Sequence, residues 1–490
     1  MSTPIDKLIL PDTAEVRGAL AVIDRNAQGA AFIVDATGRL CGVLTDGDIR
    51  RALLAGCDVS TPVRAIMKRE FASLPATASA EEVFQHLRDS INIIPLVDNE
   101  GHPVDYACFH RYHKIPVMEP ALDGHELDYV IECLTTNWIS SQGAFVKRFE
   151  ECFADFLRVE QALTTSNGTA ALHLALAALG IGPGDEVIVP DLTFAASINA
   201  VLYTGARPVL VDVDAATWTM DPEIVEASLT ERTRAIMPVH LDGHPCDMDR
   251  LLAVAKQAGC FLIEDCAESL GSECQGVKTG VLGDAGCFSF FGNKVVTTGE
   301  GGLVVFRDAA AAQRARTLRD HGMSKERRYW HDHIGFNYRL TSLQAAVGVA
   351  QMERVEQFFE RRAEIVKEYD AQLTGLPGIT LGPRSPWGRH VHWLYCLLLD
   401  DTTESVRRDE LLEKLSLNGI ESRPVFYPLH QMPPYKEMSP SGTSFPVSER
   451  ISRTGISLPC SYRLKSEEIR HICETITRVL RVREDRVHNC

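Results

Sequence analysis

The sequence predicts an α/β protein built on a mainly parallel sheet with helices on both faces. From Glu186 onward, short apolar runs alternate with helical patterns, which is typical of strand–helix units in a parallel sheet. Beyond residue 381 the pattern changes to a strand, a helix and a closing helix, which predicts a small α+β domain. Residues 1–115 contain two similar stretches and predict a separate small α/β module. The expected domains are therefore 1–115, 116–380 and 381–490.

The module is predicted from an internal repeat. Residues 31–51 read as strand, turn, strand and then a helix opened by Asp48, and residues 94–106 repeat the strand–turn–strand part. The copies lie about sixty residues apart, and such self-similarity marks a repeated structural unit. Residues 113–120 contain two prolines and no periodicity, so they are the expected linker.

The elements of the main part follow from apolar runs and helical periodicity. A helix over 122–137 precedes the sheet. The expected strands are 187–189, 209–211, 235–239 and 261–263, and the expected helices between them are 197–203, 222–229 and 248–258. In the last domain we expect a strand at 392–399, a helix at 408–417 and a closing helix at 466–482.

Composition excludes several classes of protein. A length of 490 residues allows two or three domains, and the net charge of −16 argues against a nucleic-acid partner. The 14 cysteines are scattered without a CxxC pair, which favours buried thiols in a reducing compartment over disulfides or a metal site. We see neither a signal peptide nor an apolar run of membrane-spanning length, so the expected location is the cytoplasm, without a membrane partner.

Lys294 is the most informative residue. It follows an apolar strand-like run, and a Thr/Gly-rich turn comes after it. A lysine in that position can be desolvated, which lowers the pKa of its amine and frees the lone pair for Schiff-base chemistry. A lone lysine of this kind is more often an ordinary surface residue at a turn.

Three other stretches supply what pyridoxal phosphate (PLP) needs from a protein. Asn167-Gly168-Thr169 opens an Ala/Leu helix, whose N–H groups attract a phosphate. Asp265 ends an apolar strand, where it can keep a ring nitrogen protonated. Phe194 follows another strand and offers a face for stacking. Each has a plainer alternative: a helix cap for the turn and for Asp265, and a core position for Phe194.

The order of these pieces resembles the fold-type I PLP-dependent enzymes, and more closely the DegT/DnrJ/EryC1/StrS family of sugar aminotransferases. The resemblance covers about residues 116–480. It depends on these stretches: 136–141, 182–190, 264–268, 288–302, 335–341 and 423–430.

The resemblance implies a role for each matching residue. Lys294 matches the lysine that binds the cofactor and moves protons, and Asp265 matches the partner of the pyridinium nitrogen. Glu268 matches a residue near the ring hydroxyl, and Phe194 matches the stacking aromatic. The expected phosphate contacts are Gly168, Thr169 and Ser289, with Asn337 reaching the phosphate in the other subunit. The expected substrate contacts are Trp138, His240 and His430, although single histidines are more often structural.

The same resemblance implies transfer of the amino group of L-glutamate to C4 of a nucleotide-linked 4-keto-6-deoxy sugar. We expect GDP-4-keto-6-deoxy-mannose, with a dTDP- or UDP-linked ketosugar as the alternative. An active site completed in trans would require at least a homodimer. Two other functions compete: a dehydratase of the same family, in which His replaces the lysine, and a nucleotide-sensing regulator with a vestigial PLP fold. The intact Lys294 argues against the dehydratase, and the intact Lys294, Asp265 and Ser289 argue against the vestigial regulator.

Residues 1–115 resemble a pair of CBS motifs, modules that often bind adenosine nucleotides. In that family a Thr or Ser and an acid three residues later hold the ribose, and Thr45 and Asp48 match. The second copy ends at 107–110 without such a pair. The expectation is therefore a regulatory nucleotide at the first copy. A docking or oligomerisation module without a ligand, with Thr45 and Asp48 as a plain helix cap, is the alternative.

Overall fold

A computed structural model describes residues 4–26, 28–78, 82–83, 86, 93–108, 115–401, 407–438 and 442–487, with side chains up to residue 481 except that of Cys108. The chain divides into two compact units, Met1–Lys114 and Ile115–Cys490. The end of the second repeat copy (109–110) and the start of the expected linker (113–114) lie outside the described residues.

The first unit repeats one arrangement twice. Its strands are β1 (Ile9–Pro11), β2 (Ala30–Val34), β3 (Leu40–Thr45), β4 (Leu74–Pro75), β5 (Ile93–Val97) and β6 (Pro103–Cys108), and its described α-helices are α1 (Val16–Asn26) and α2 (Asp46–Leu54). The sheets β1-β2-β3 and β4-β5-β6 each join a parallel pair to an antiparallel pair. The internal repeat predicted from the sequence is thus present in the structure.

Helix α2 begins two residues earlier than expected. Thr45 is its cap: the Thr45 hydroxyl accepts a hydrogen bond from the Asp48 N–H, and the Asp48 carboxylate accepts one from the Thr45 N–H. This reciprocal pair satisfies two backbone donors that a helix start otherwise leaves free. Asp48 is therefore the third helical residue and does not open the helix.

The second unit contains most of the chain. Its helices are α3 (Glu126–Thr135), α4 (Ala144–Leu157), α5 (Gly168–Ala178), α6 (Ala196–Tyr203), α7 (Pro222–Ala227), α8 (Met248–Ala258), α9 (Ala309–Arg319), α10 (Ser342–Met352), α11 (Val355–Leu373), α12 (Arg408–Leu417), α13 (Pro446–Thr454) and α14 (Ser466–Val487). Its strands are β7 (Ala162–Thr165), β8 (Glu186–Pro190), β9 (Arg207–Val211), β10 (Thr233–Ile236), β11 (Phe261–Asp265), β12 (Glu273–Cys274), β13 (Val277–Lys278), β14 (Ala285–Ser289), β15 (Gly302–Phe306), β16 (Ile379–Leu381), β17 (Gly388–Arg389), β18 (Tyr395–Leu399), β19 (Arg423–Pro424) and β20 (Gly455–Leu458).

A seven-stranded sheet organises this unit, in the order β7-β15-β14-β11-β10-β8-β9. The pairs from β14 to β9 are all parallel, and only β15 runs against its two neighbours. The predicted mainly parallel α/β fold is confirmed. In such a sheet the carboxyl ends of parallel strands meet at one edge, where ligands bind. Asp265 ends β11 and Ser289 ends β14 at that edge.

Both faces of the sheet are buried, because side chains alternate along each strand. On β14, Cys287 packs among residues of α5 and α6, whereas the adjacent Phe288 packs with Phe149 and Phe153 of α4. This two-sided burial explains why the strands are apolar without interruption.

The last part of the unit is a smaller antiparallel sheet, β16-β18-β20-β19. Helices α11, α12 and α14 share its core. Strand β18 begins at Tyr395, three residues later than expected, because His392 has a φ of 52° and cannot continue a strand. Among the described residues, no helix is both long and apolar enough to span a bilayer.

Candidate active site

The carboxyl edge of the large sheet borders a cavity of about 740 Å³. It lies within the usual size range of small-molecule sites. Seven of the predicted site residues line it: Gly168, Thr169, Phe194, Asp265, Glu268, Ser289 and Lys294. These come from four separate stretches of sequence that the fold brings to one place.

One wall of the cavity is the start of α5. Asn167 caps this helix, since its side-chain oxygen accepts a hydrogen bond of 2.8 Å from the Ala170 N–H. The N–H groups of Gly168 and Thr169 lie in the first turn, where a helix has no acceptor of its own. A Cβ on Gly168 would lie 2.8 Å from the Ser289 Cβ, so only glycine allows this close approach. The wall suits an anion such as a phosphate.

Asp265 lies at the end of β11, only 4% exposed. Its carboxylate accepts hydrogen bonds from the Ser197 hydroxyl at 2.8 Å and from the Ala267 N–H at 3.1 Å. Burial raises the pKa of this carboxyl, while these hydrogen bonds and the charge of Lys294 oppose the rise. A cationic ring nitrogen in contact with Asp265 would stabilise the charged form further.

Lys294 lies between a carboxylate and an aromatic ring. Its Nζ is 3.5 Å from Glu268 Oε1 and 3.7 Å from the centre of the Trp393 ring. Burial lowers the pKa of Lys294, and the charges of Glu268 and Asp265 oppose the decrease. Burial also raises the pKa of Glu268. A desolvated lysine of this kind is suited to covalent chemistry with a carbonyl.

Phe194 is the most exposed of the predicted residues in the cavity. Its side chain is 59% exposed, and its ring centre lies 5.8 Å from that of Phe426. An aromatic ring open to a cavity offers a face on which a planar ligand can stack.

Three residues expected at the substrate do not line this cavity, and neither does Asn337, which is expected to reach the cavity of the other subunit. Among the described residues that line it, Trp138, His240, His430 and Asn337 are absent. Trp138 is largely exposed. Asn337 accepts a hydrogen bond from Arg339. The Nδ1 of His430 is hydrogen-bonded to Asp191 Oδ2 at 2.7 Å.

His240 is fully buried, so it cannot contact a ligand directly in this structure. Its Nδ1 accepts a hydrogen bond from the Cys246 N–H, and Nε2 lies 3.0 Å from Glu264. Glu264 also accepts N–H donors from residues 280, 282 and 283. His240, Glu264 and Cys266 bring potential metal-ligand atoms within 4.8 Å of one another. These hydrogen bonds attach the turn at 280–283 to Glu264 of β11, so the cluster has a structural role.

Comparison with known proteins identifies this arrangement. The sequence model of the DegT/DnrJ/EryC1/StrS aminotransferase family matches residues 120–477. The chain belongs to this family. It is therefore an aminotransferase. A second family model, that of the CBS domain, matches residues 1–55 and 63–106.

Two relatives of this aminotransferase are GDP-perosamine synthases. The protein of Caulobacter vibrioides is 47% identical over 368 residues, which cover 75% of this chain and 98% of the relative. That of Escherichia coli O157:H7 is 46% identical over 362 residues, which cover 74% and 97%.

Solved structures agree on the fold of the aminotransferase. DesV of S. venezuelae, in complex with a ketimine intermediate, has a TM-score of 0.68 at 35% identity and covers 72% of this chain and 94% of its own. A sugar aminotransferase described as putative, Spr1654 from Streptococcus pneumoniae, in its PMP-form, has a TM-score of 0.72 at 28% identity, with coverage of 77% and 100%.

The cofactor of the aminotransferase is PLP, and the residues present fit it. The cavity offers a glycine-lined helix start for a phosphate, a buried carboxylate at a strand end, an exposed aromatic face and a desolvated lysine. These are the four features that this cofactor requires.

Sequence reasoning missed several residues of the site. Trp393 covers Lys294, Asp242 lines the cavity, and Ser197 orients Asp265. Arg423 lies in a stretch that carried the family resemblance, but it was not singled out. Position at a strand end was a signal for Asp265. No comparable local pattern points to Trp393, which reaches Lys294 from 99 residues further along the chain.

In the first unit, Asp48 is already heavily engaged. Its carboxylate accepts hydrogen bonds from Thr45 and Arg51, both at 2.6 Å, and pairs with Lys68 at 3.1 Å. Burial raises the pKa of Asp48, but the hydrogen bonds from Thr45, Lys68 and Arg51 outweigh burial and lower it to about 2. The carboxylate is therefore ionised at neutral pH.

Proposed function

We propose that this protein transfers the amino group of L-glutamate to C4 of GDP-4-keto-6-deoxy-mannose, which yields GDP-perosamine. The observation that carries the choice of sugar is the 46–47% identity to two GDP-perosamine synthases over nearly their whole length. A dTDP- or UDP-linked ketosugar is the alternative.

In this proposal, PLP supplies the electron sink and the carbonyl carbon that carries the amino group between substrates. Lys294 would bind the cofactor, and its Nζ would move a proton between C4′ of the cofactor and the substrate carbon. Asp265 would hold the proton of the pyridinium nitrogen, and Glu268 would lie near the ring hydroxyl. Phe194 would stack on the ring, and Gly168, Thr169 and Ser289 would bind the phosphate.

The choice of sugar can be tested with a panel of nucleotide ketosugars and glutamate as the donor. We expect kcat/KM to be at least about tenfold higher for the GDP-linked 4-ketosugar than for dTDP- or UDP-linked ones, since buried polar groups that recognise one base are left unpaired by another. NMR should locate the new amine at C4. A higher kcat/KM for a dTDP or UDP sugar would overturn this choice while leaving the aminotransferase assignment intact.

We also propose that the active site is completed by a second copy of the chain. Asn337 lies outside the cavity of its own chain, on a segment that exposes the large apolar side chains Tyr329, Trp330 and Ile334. Helix α3 likewise exposes Leu127 and Leu134. Exposed apolar side chains in such numbers are typical of an interaction surface. In a homodimer, Asn337 would reach the phosphate of the partner's cofactor.

Subunit exchange tests this arrangement. The variants Lys294→Ala and Asn337→Ala should each be impaired, but a mixture should recover roughly a quarter of wild-type activity, because half of randomly mixed dimers contain one intact site of two. As a control, mixing Lys294→Ala with Asp265→Asn should give no recovery, since both residues belong to one chain's site. No recovery in the first mixture, despite demonstrated exchange, would place Asn337 in its own chain's site.

For the first unit we propose that the CBS domain binds one nucleotide per chain, with the ribose at Thr45 and Asp48. The ionised Asp48 supports this proposal, because a carboxylate can accept both ribose hydroxyls. A docking module without a ligand is the alternative.

Calorimetric titration of the full-length protein with adenine and guanine nucleotides checks the CBS proposal. We expect at most one site per chain, lost in Asp48→Ala and kept in the matched variant Asp46→Ala, whose carboxylate is exposed and pairs with Arg50. Two equivalent sites, or binding that is indifferent to Asp48, would contradict it. An absence of binding would favour the docking module.

We propose the cytoplasm as the location. The cysteines with described side chains are all free, which suits a reducing compartment. Recovery of the protein in another cell fraction would contradict this.

A further inference from the structure

More carboxylates than cations face the cavity around Lys294. Asp242, Asp265 and Glu268 are each about 95% buried and line the cavity together with Lys294. Arg423 also lines it, but its guanidinium pairs with Glu421 at 3.0 Å. Glu300 also lines the cavity but is exposed. Among the three buried carboxylates, Asp265 has hydrogen bonds of its own and Glu268 contacts Lys294, so Asp242 is the one with no role described so far.

The backbone fixes Asp242 in this position. It lies in the short turn Leu241–Gly243 with a left-handed φ of 54°. The backbone N–H of Asp242 donates a hydrogen bond to Glu268 Oε2 at 2.8 Å, and its backbone carbonyl accepts one from the backbone N–H of Trp393 at 2.9 Å. Asp242 is thus attached by its main chain to both residues that contact Lys294.

The side chain of Asp242 is only partly engaged by its neighbours. Its Oδ2 is buried and has no hydrogen-bond partner among the described residues. Burial, together with the charge of Glu268, raises the pKa of Asp242 to about 7, although a hydrogen bond with the Cys396 thiol and the charge of Lys294 oppose the rise. An unpaired buried carboxylate oxygen is costly, so its presence in a ligand cavity calls for an explanation.

We propose that Asp242 is a positioning carboxylate for Lys294, which keeps the lysine nitrogen positively charged to a higher pH than Glu268 and Asp265 alone would do. Above about pH 7 Asp242 carries its charge, and an anion held in the same cavity favours the charged form of the amine. With PLP bound as proposed above, Asp265 would face the ring nitrogen and Glu268 the ring hydroxyl, so Asp242 would be the buried carboxylate left for the lysine nitrogen. The inference rests on the cofactor chemistry of the family and not on the identity of the sugar.

The visible absorption of the PLP-loaded protein tests this, because it changes when the cofactor-bound lysine nitrogen loses its proton. We expect Asp242→Asn to lower the midpoint of the pH titration by about one unit, the effect of removing one nearby opposite charge. Asparagine tolerates the left-handed backbone, so the fold should be retained. The control Asp247→Asn removes a charge from a helix cap outside the cavity, and asparagine also caps helices; it should leave the midpoint unchanged. An unchanged midpoint in Asp242→Asn would overturn the inference.

A second measurement uses the protein without cofactor. Acetylation of Lys294 by acetic anhydride, followed by mass spectrometry across a pH series, reports how readily the amine loses its proton. In Asp242→Asn, Lys294 should become reactive about one pH unit lower than in the wild type. If the pH dependence is the same in both proteins, the inference fails, even if the variant does not retain PLP. If the wild type itself fails to bind PLP, the proposed function fails, whereas this second measurement still decides the role of Asp242.

Discussion

Lys294→Ala is expected to lower the rate of amino transfer by about 10⁴-fold, the upper end of what one positioned proton-transfer group contributes. The reason is that Lys294 is the described lysine that lines the cavity, where burial lowers its pKa and Glu268 and Trp393 hold its Nζ. Alanine keeps the helix start and Asp265, so PLP can still enter the site. It removes both the covalent bond and the proton carrier.

Two measurements check this result. Borohydride reduction of the wild type should fix PLP on Lys294, as read by mass spectrometry of peptides, and the visible band of the bound cofactor should change in Lys294→Ala. Lys256→Ala, on the exposed face of α8, is a matched control and should behave like the wild type. A reduced adduct on any other lysine would disprove the assignment.

Asp265→Asn is expected to lower the rate by about 10³-fold, a loss similar to that from removing a preorganised electrostatic group in a buried site. Asparagine has one acceptor oxygen, which can keep the hydrogen bond from the Ala267 N–H, while its NH2 group can donate to the Ser197 hydroxyl, so the local packing should persist. It carries no negative charge, so it cannot stabilise a protonated ring nitrogen, and the electron sink weakens.

The half-reaction with glutamate, followed by absorbance in a single turnover, isolates this effect from sugar binding. Ser197→Ala serves as a graded control: it removes one hydrogen bond to Asp265 but leaves the charge, and we expect about a tenfold loss. Retention of Asp265→Asn activity within tenfold of the wild type would show that Asp265 does not hold the ring nitrogen.

The local chemistry of the sequence was sufficient to predict the fold and much of the cavity. Apolar runs that alternate with helical segments predicted the parallel sheet. Asp265 and Ser289 could be placed at its carboxyl edge because each of them ends an apolar run. Asn167-Gly168-Thr169 could be read as a helix start because capping depends on residues a few positions apart.

The positions of two histidines could not be predicted from their local sequence. His240 and His430 were expected to contact substrate, but neither lines the cavity, and His240 has no exposed surface. A histidine beside a strand end looks the same in sequence whether it faces a cavity or the core. What differs is the partner: Glu264 for His240, and Asp191, 239 residues away, for His430.

By itself, then, the sequence determined the family, the strand–helix order and the position of residues that lie at a strand or helix end, such as Asp265, Ser289 and Gly168. Only the tertiary structure placed Trp393 over Lys294, and only it left Asp242 buried beside Glu268 with an unpaired oxygen. The physical reason is the separation along the chain between the residues that interact. Caps and strand ends are set by neighbours within one or two turns of chain, whereas burial and charge at Lys294 depend on segments that meet only after the sheet and the C-terminal part have packed.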